Sequence, residues 1–256
     1  MAAMRVMRTF GAVLLAGIAL DARAVTADYA REDRLAAEIV PAIVVGDPVY
    51  LATPRRPRVL AIYTAPPGKP IGAALIVHGL GVHPDWGLIN GLRTDLADAG
   101  LATLSVQMPV FAGEASRGDY VALYAEADER IAAGIAFLEG HGIGKVAIVA
   151  HSLGATMANA YLASPAAASV VAWVPIGMQG AFAAPPREPV LDVVAQSDRP
   201  EVLKAASARA DSLPRDSCSR QVTIPGTDHF MANRRKELAE AVVRFLQVAS
   251  AGSCRR

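Results

Sequence analysis

A serine hydroxyl becomes a useful nucleophile only where the chain holds it clear of its neighbours and brings an imidazole to take its proton. The segment Lys145 to Gly154 meets the first condition. Its apolar, β-branched run (Val146, Ile148, Val149) ends in Ala150-His151-Ser152-Leu153-Gly154, where a helix begins at once. A strand that passes directly into a helix must turn sharply, and the small residues Ala150 and Gly154 let the two elements approach closely enough for that turn. Ser152 is its tip, open to a substrate on one side and to a base on the other, and backbone strain is expected there. The Leu153 N–H, at the positive end of the helix, is placed to hold negative charge that develops on a substrate oxygen. The second condition has five His to draw on. His151 should point away from Ser152, and His83 and His141 fall in loops, where a solvated or capping role is the ordinary use.

Together with His78-Gly79-Leu80-Gly81 upstream and Gly226-Thr227-Asp228-His229-Phe230 downstream, this elbow resembles the α/β-hydrolase superfamily from about Pro48 onward. The first elbow position departs from the usual Gly by one methyl group. His78 to Trp86 and Thr103 to Pro109 further resemble a poorly characterised exported bacterial branch, which implies a fold but no substrate. The resemblance implies that His229 is the general base and that the Leu80 N–H joins Leu153 in an oxyanion hole. A third member, a carboxylate that fixes the imidazole's tautomer, should follow the strand Val190 to Ala195. Asp198 fits, although capping the helix that starts near Pro200 is its competing use. Asp192 lies mid-strand, too deep to reach a loop, and Asp228 is too close in sequence to His229 to pair with it easily.

Those residues need a scaffold. From Gly72, continuous apolar strands alternate with amphipathic helices, which predicts an α/β domain with a doubly wound, mostly parallel sheet covered by helices on both faces. Functional loops then gather at the strands' C-terminal edge. Expected strands are 73–77, 102–106, 146–149, 170–174, 190–195 and 221–224. Expected helices are 86–99, 120–138, 153–163, 200–210 and 233–247. Val49 to Thr53 and Val59 to Tyr63 alternate around a Pro-rich turn and predict an antiparallel edge hairpin. About a dozen residues between Val174 and Val190 leave no room for a helical cap, so a minimal cap or none is expected, with some cover from the loop Pro109 to Asp119 and its exposed-looking Phe111.

The chain divides into a leader at 1–24, an extension at 25–47 containing a short helix near Ala30 to Ile39 with no visible chemistry, and the main domain at 48–256. At 256 residues and 53% hydrophobic content, one large core is the default. In the leader, Arg5 and Arg8 precede an apolar run from Phe10 to Leu20, and Ala22-Arg23-Ala24 is a small-x-small cleavage site. Cleavage after Ala24 and a periplasmic or secreted destination are expected; the run is too short for a membrane span, which needs about 20 residues. Removing the leader's three Arg and one Asp from 25 basic and 24 acidic side chains leaves 22 against 23, a balance that argues against a nucleic-acid partner. In an oxidising compartment Cys218 and Cys254 could pair, because a helix antiparallel to the last strand would bring Cys254 back to that strand's start; two unpaired thiols are the alternative. No metal site or cofactor is expected: no His or Cys stand at ligand spacing, and the Gly-rich 140–144 segment precedes a strand where a phosphate loop must follow one. The sequence thus points to an exported serine hydrolase acting on a small-molecule ester or thioester through Ser152, His229 and Asp198. A catalytically silent binding or scaffold protein of the envelope is the alternative, and oligomeric state is open.

Overall fold

The computed structural model describes residues 26–111 and 113–255. The expected leader and its cleavage point lie outside the described residues. The apolar runs form strands β1 (Asp47–Leu51), β2 (Val59–Thr64), β3 (Gly72–Val77), β4 (Leu101–Val106), β5 (Val146–His151), β6 (Val170–Ile176), β7 (Leu191–Ser197) and β8 (Arg220–Asp228). They make one eight-stranded sheet in the order β1-β2-β4-β3-β5-β6-β7-β8. The hairpin β1-β2 is antiparallel and β2 also meets β4 antiparallel, while every other pairing is parallel. The doubly wound arrangement with an edge hairpin is as the hydrophobic patterning predicts.

Helices α1 (Tyr29–Ile39), α2 (Gly87–Asp98), α3 (Tyr124–Gly140), α4 (Leu153–Leu162), α5 (Pro200–Asp211) and α6 (Arg235–Ser250) complete the fold. Successive strand side chains point to opposite faces, and here both faces are apolar. Leu75, Val77, Ile148 and Ala150 pack with Ile131 of α3 and Met157 of α4. Their neighbours Ala74, Ile76, Ala147 and Val149 pack instead with Leu92 of α2 and Val242 and Phe245 of α6. The central strands are therefore fixed in position from both sides, and their C-terminal ends form a firm rim. At that rim the stretch from Gly177 to Glu188 carries no helix. Asn159 on α4 ties it down, donating to the Ala181 carbonyl and accepting from the Ala183 N–H, each at 3.0 Å. No packed-helix cap sits there.

Three details differ from the sequence expectation. The helix expected to start at Tyr120 begins as a 3₁₀ turn over Arg117–Leu123, because Asp119 turns back to accept from both the N–H and the hydroxyl of Ser116 at 2.8 Å. Phe111 is not exposed: its ring lies edge-on to Tyr120 at 5.2 Å. The extension holds more than a surface helix. Glu32 of α1 is buried and accepts two hydrogen bonds from Arg130 of α3, each at 3.0 Å. Cys218 and Cys254 are joined by a disulfide that ties the start of β8 to the chain after α6, as the antiparallel course of β8 and α6 leads one to expect.

Candidate active site

The turn between β5 and α4 is as sharp as its small flanking residues imply. Ser152 has φ 57° and ψ −121°, one of two non-glycine residues with positive φ among those described. Such a conformation costs on the order of 1–3 kcal/mol and persists only where its surroundings enforce it. Here they do: the Ser152 N–H is held by the Ile176 carbonyl at 2.9 Å. A Cβ on Gly154 would lie 2.3 Å from the His78 carbonyl oxygen, and one on Gly79 would lie 3.0 Å from Ser152 Cβ. Both glycines are required by the close approach of the His78 loop to the elbow.

The loop after β8 folds back over this turn. His229 Nε2 lies 2.8 Å from Ser152 Oγ, and His229 Nδ1 lies 2.6 Å from Asp198 Oδ1. Gly177, with φ +60°, makes room for the pair: a Cβ there would sit 3.0 Å from the imidazole. All three side chains are buried. Asp198 comes from just beyond β7 and accepts further hydrogen bonds from the Arg199 N–H at 2.8 Å and the Ala195 N–H at 3.1 Å. Burial on its own raises a carboxyl pKa, but these donors and His229 outweigh it and hold Asp198 below the ordinary carboxylate range. Asp198 is thus an ionised acceptor that obliges His229 to carry its proton on Nδ1, leaving Nε2 bare toward the serine hydroxyl.

The rival carboxylates are engaged elsewhere. Asp192 is buried in an ion pair with Arg209 at 2.9 Å and accepts from Gln221 at 2.7 Å. Asp228 accepts from the Phe230 N–H. His151 turns away from the hydroxyl, as expected, and donates from Nε2 to the His229 carbonyl at 3.0 Å, bracing the loop that carries the imidazole. His83 accepts from the Asp85 N–H, and His141 bonds the Phe137 carbonyl. Leu153 opens α4, and Leu80 lies on the loop facing it.

Several contributors were not singled out from the sequence. His78 donates from Nδ1 to the Gly79 carbonyl at 2.9 Å and accepts at Nε2 from the Met108 N–H at 2.9 Å, so it fastens the Leu80 loop to the end of β4. Burial lowers its pKa to about 3 and that of His151 to about 4, so both stay neutral. Arg117, from the 3₁₀ turn, places Nη2 3.0 Å from Ser152 Oγ. Trp86, Arg199 and Phe230 complete the walls of a cavity of about 50 Å³ over the serine. Depressions of about 450 and 430 Å³ exist elsewhere, lined by residues such as Ala167 and Glu188 or Asp98 and Val243, none of which joins this constellation. As for metals, Asp216 lies beside Cys218 and Cys254, but those sulfurs are bonded to each other and leave a single carboxylate. No helix among the described residues is long and apolar enough to cross a membrane.

Comparison with known proteins agrees with this architecture. Residues 59–127 match a protein family described only as being of unknown function, DUF3530. No curated protein sequence matches. Among solved structures, the fold is similar to an α/β serine hydrolase without a lid from Xanthomonas campestris, with a TM-score of 0.65 and 16% identity over 80% of this chain and 95% of that one. It is similar also to Est1E from Butyrivibrio proteoclasticus (TM-score 0.64, 18% identity, 80% of this chain and 99% of that one). A protein of unknown function from Agrobacterium tumefaciens gives a TM-score of 0.66 at 18% identity, covering 82% of this chain and 99% of that one. The chain has the α/β-hydrolase fold, with no helical cap among the described residues.

Proposed function

We propose that the protein is a serine hydrolase that cleaves a small carboxylic ester or thioester through an acyl-enzyme on Ser152. The observation that carries this reading is the line of short contacts from Ser152 Oγ to His229 Nε2 at 2.8 Å and from His229 Nδ1 to Asp198 at 2.6 Å. In the first half-reaction Ser152 Oγ bonds to the substrate's carbonyl carbon as its proton passes to His229 Nε2, and Asp198 stabilises the resulting imidazolium. The Leu80 and Leu153 N–H groups receive the carbonyl oxygen as it becomes an oxyanion. Collapse of the tetrahedral intermediate breaks the bond to the alcohol or thiol, which leaves with the proton from His229. Water then repeats the sequence on the acyl-enzyme and releases the acid. The Xanthomonas campestris protein of like fold, named as a serine hydrolase, supports the chemistry.

A fluorophosphonate probe tests the assignment: it is expected to label the wild type and not Ser152→Ala, and equal labelling of both would overturn the site. Export is part of the same proposal. The leader-like segment before residue 25 and the disulfide fit an oxidising compartment. N-terminal sequencing of the protein recovered from outside the cytoplasm is expected to begin at Val25; recovery of the full chain from the cytoplasm would refute it. The silent binding or scaffold reading draws on one observation, the cavity of only about 50 Å³, against the several hundred typical of ligand sites. It predicts no turnover across a broad ester panel together with a stable envelope partner.

A further inference from the structure

The cleft over Ser152 is lined by two guanidinium groups, Arg117 and Arg199, and by no carboxylate. Asp198, behind that wall, is already committed to His229 and to two backbone N–H groups. Arg117 Nη2 donates to the serine hydroxyl at 3.0 Å, while its Nη1 is buried without any hydrogen-bond partner. A charged donor left without an acceptor is costly even on a side chain that, like Arg117, is half-buried as a whole. The cost is compounded by charge: burial lowers the Arg117 pKa, and the nearby positive charge of Arg199 lowers it further. Tyr124 and Glu201 act in the opposite sense, yet neither hydrogen-bonds the guanidinium. Nor is Arg117 a loose side chain that fell into the cleft. Its turn is closed by Asp119 on Ser116, and the loop ahead of it is pinned where Phe111 donates its N–H to the Tyr120 hydroxyl and accepts from Arg31.

Extending the reading of Ser152 as an acyl-accepting nucleophile, we infer that Arg117, aided by Arg199, selects substrates that carry an anionic group, a carboxylate or an equivalent oxyacid, within a few bonds of the scissile carbonyl. A bidentate anion would supply the acceptor that Arg117 Nη1 lacks and would neutralise the repulsion between the two arginines. It would also draw Arg117 off the serine oxygen, widening the cavity and freeing the lone pair that must attack. Arg117 and Arg199 are thus specificity-determining residues.

The test compares matched esters. On the acyl side these are para-nitrophenyl hemisuccinate and para-nitrophenyl butyrate; on the alcohol side, para-carboxyphenyl butyrate and phenyl butyrate. In the wild type the anionic member of at least one pair is expected to show a kcat/KM higher by about 10- to 100-fold, the scale of one well-made charged hydrogen bond. The ratio should fall toward one in Arg117→Gln, recover in part in Arg117→Lys, and fall less in Arg199→Gln. Because the readout is a ratio within one variant, a general loss of folding or turnover cancels from it. Equal kcat/KM within both pairs for the wild type, or a ratio unmoved by Arg117→Gln, would overturn the inference while leaving the hydrolase reading intact. Binding separates the reverse case: calorimetry is expected to detect the hemisuccinate with Ser152→Ala and not with Ser152→Ala/Arg117→Gln. If that difference is seen but no ester is cleaved and no fluorophosphonate reacts, the anion site stands and the hydrolase reading falls. If the difference is absent and no ester is cleaved, both fall.

Discussion

Two polar clusters lie buried near the end of β4, and they use burial in opposite ways. In one, Ser152, His229 and Asp198 form a single file whose serine end opens on a cleft. In the other, Glu32, Arg56, Glu126 and Arg130 form a knot: Arg130 pairs with both glutamates, and Arg56 reaches Glu32 at 3.3 Å and the exposed Asp33 at 2.6 Å. The file leaves one bond to be made with something from outside. The knot meets its charges from within the protein, with Arg130 Nε its one buried atom without a hydrogen-bond partner, and it holds α1 against α3. Gln107 links the knot to the Leu80 loop beside the file: its backbone carbonyl accepts from Arg130 at 3.0 Å while its side chain reaches His78 at 3.2 Å. Structural polarity and chemical polarity thus adjoin without sharing a member.

The comparison can be broken at the file first. Ser152→Ala should lower kcat on a para-nitrophenyl ester by about 10⁴- to 10⁶-fold, and Asp198→Asn by about 10⁴-fold, with little change in the thermal midpoint. A loss in proportion to unfolding would mean that the file is structural after all. At the knot the order reverses: Glu32→Ala leaves Arg130 and Arg56 under-compensated and should cost about 3–5 kcal/mol in a denaturant titration. Activity per folded molecule should be nearly kept.

A smaller effect separates the clusters by pH. His78 and His151 are held neutral, with pKa values lowered to about 3 and about 4, so the unfolded chain binds protons that the fold refuses. Their contribution is complete above the ordinary histidine pKa of about 6.5 and is lost as pH falls, at about 1.4 kcal/mol per pH unit for each. Glu32 has the opposite sign. Burial raises its pKa, and Arg130 and Arg56 pull it back only in part, so its contribution is greatest in acid and is lost as pH rises through its folded pKa. Stability followed from pH 7 to pH 4 should therefore fall less steeply in His151→Asn and more steeply in Glu32→Gln than in the wild type. The smallest effect expected is that of Arg31→Ala, about 1 kcal/mol for its hydrogen bond to the Phe111 carbonyl. A rise in KM for anionic esters without a matching fall in kcat would show that α1 steadies the loop bearing Arg117.

The same contrast explains what could be read in advance. Ser152 was legible where a strand becomes a helix and Asp198 just past a strand end, with Gly79 and Gly154 marking close backbone approach, while His229 was reached through the resemblance of the segment after the last strand. The doubly wound, mostly parallel sheet followed from the apolar runs alternating with amphipathic helices and from the handedness of crossovers. The knot was not legible. Glu32 and Arg130 lie 98 residues apart on amphipathic helices, where a charge ordinarily faces water, and nothing local distinguishes a buried pair from a solvated one. Arg117 was hidden for a related reason. Its loop was expected to cover the serine, but loop courses depend on tertiary contacts such as Asp119 on Ser116 and Arg31 on Phe111, which no short motif encodes.

The disulfide closes the chain from Cys218 to Cys254 into a covalent ring, and His229 is a member of it. A protease nick within the ring, ahead of the imidazole, would cut the peptide without shedding the fragment, because sulfur would still tether it to the strands that hold its partners. The site residue supplied from farthest along the chain is thus also the one that a single cleavage there cannot carry away.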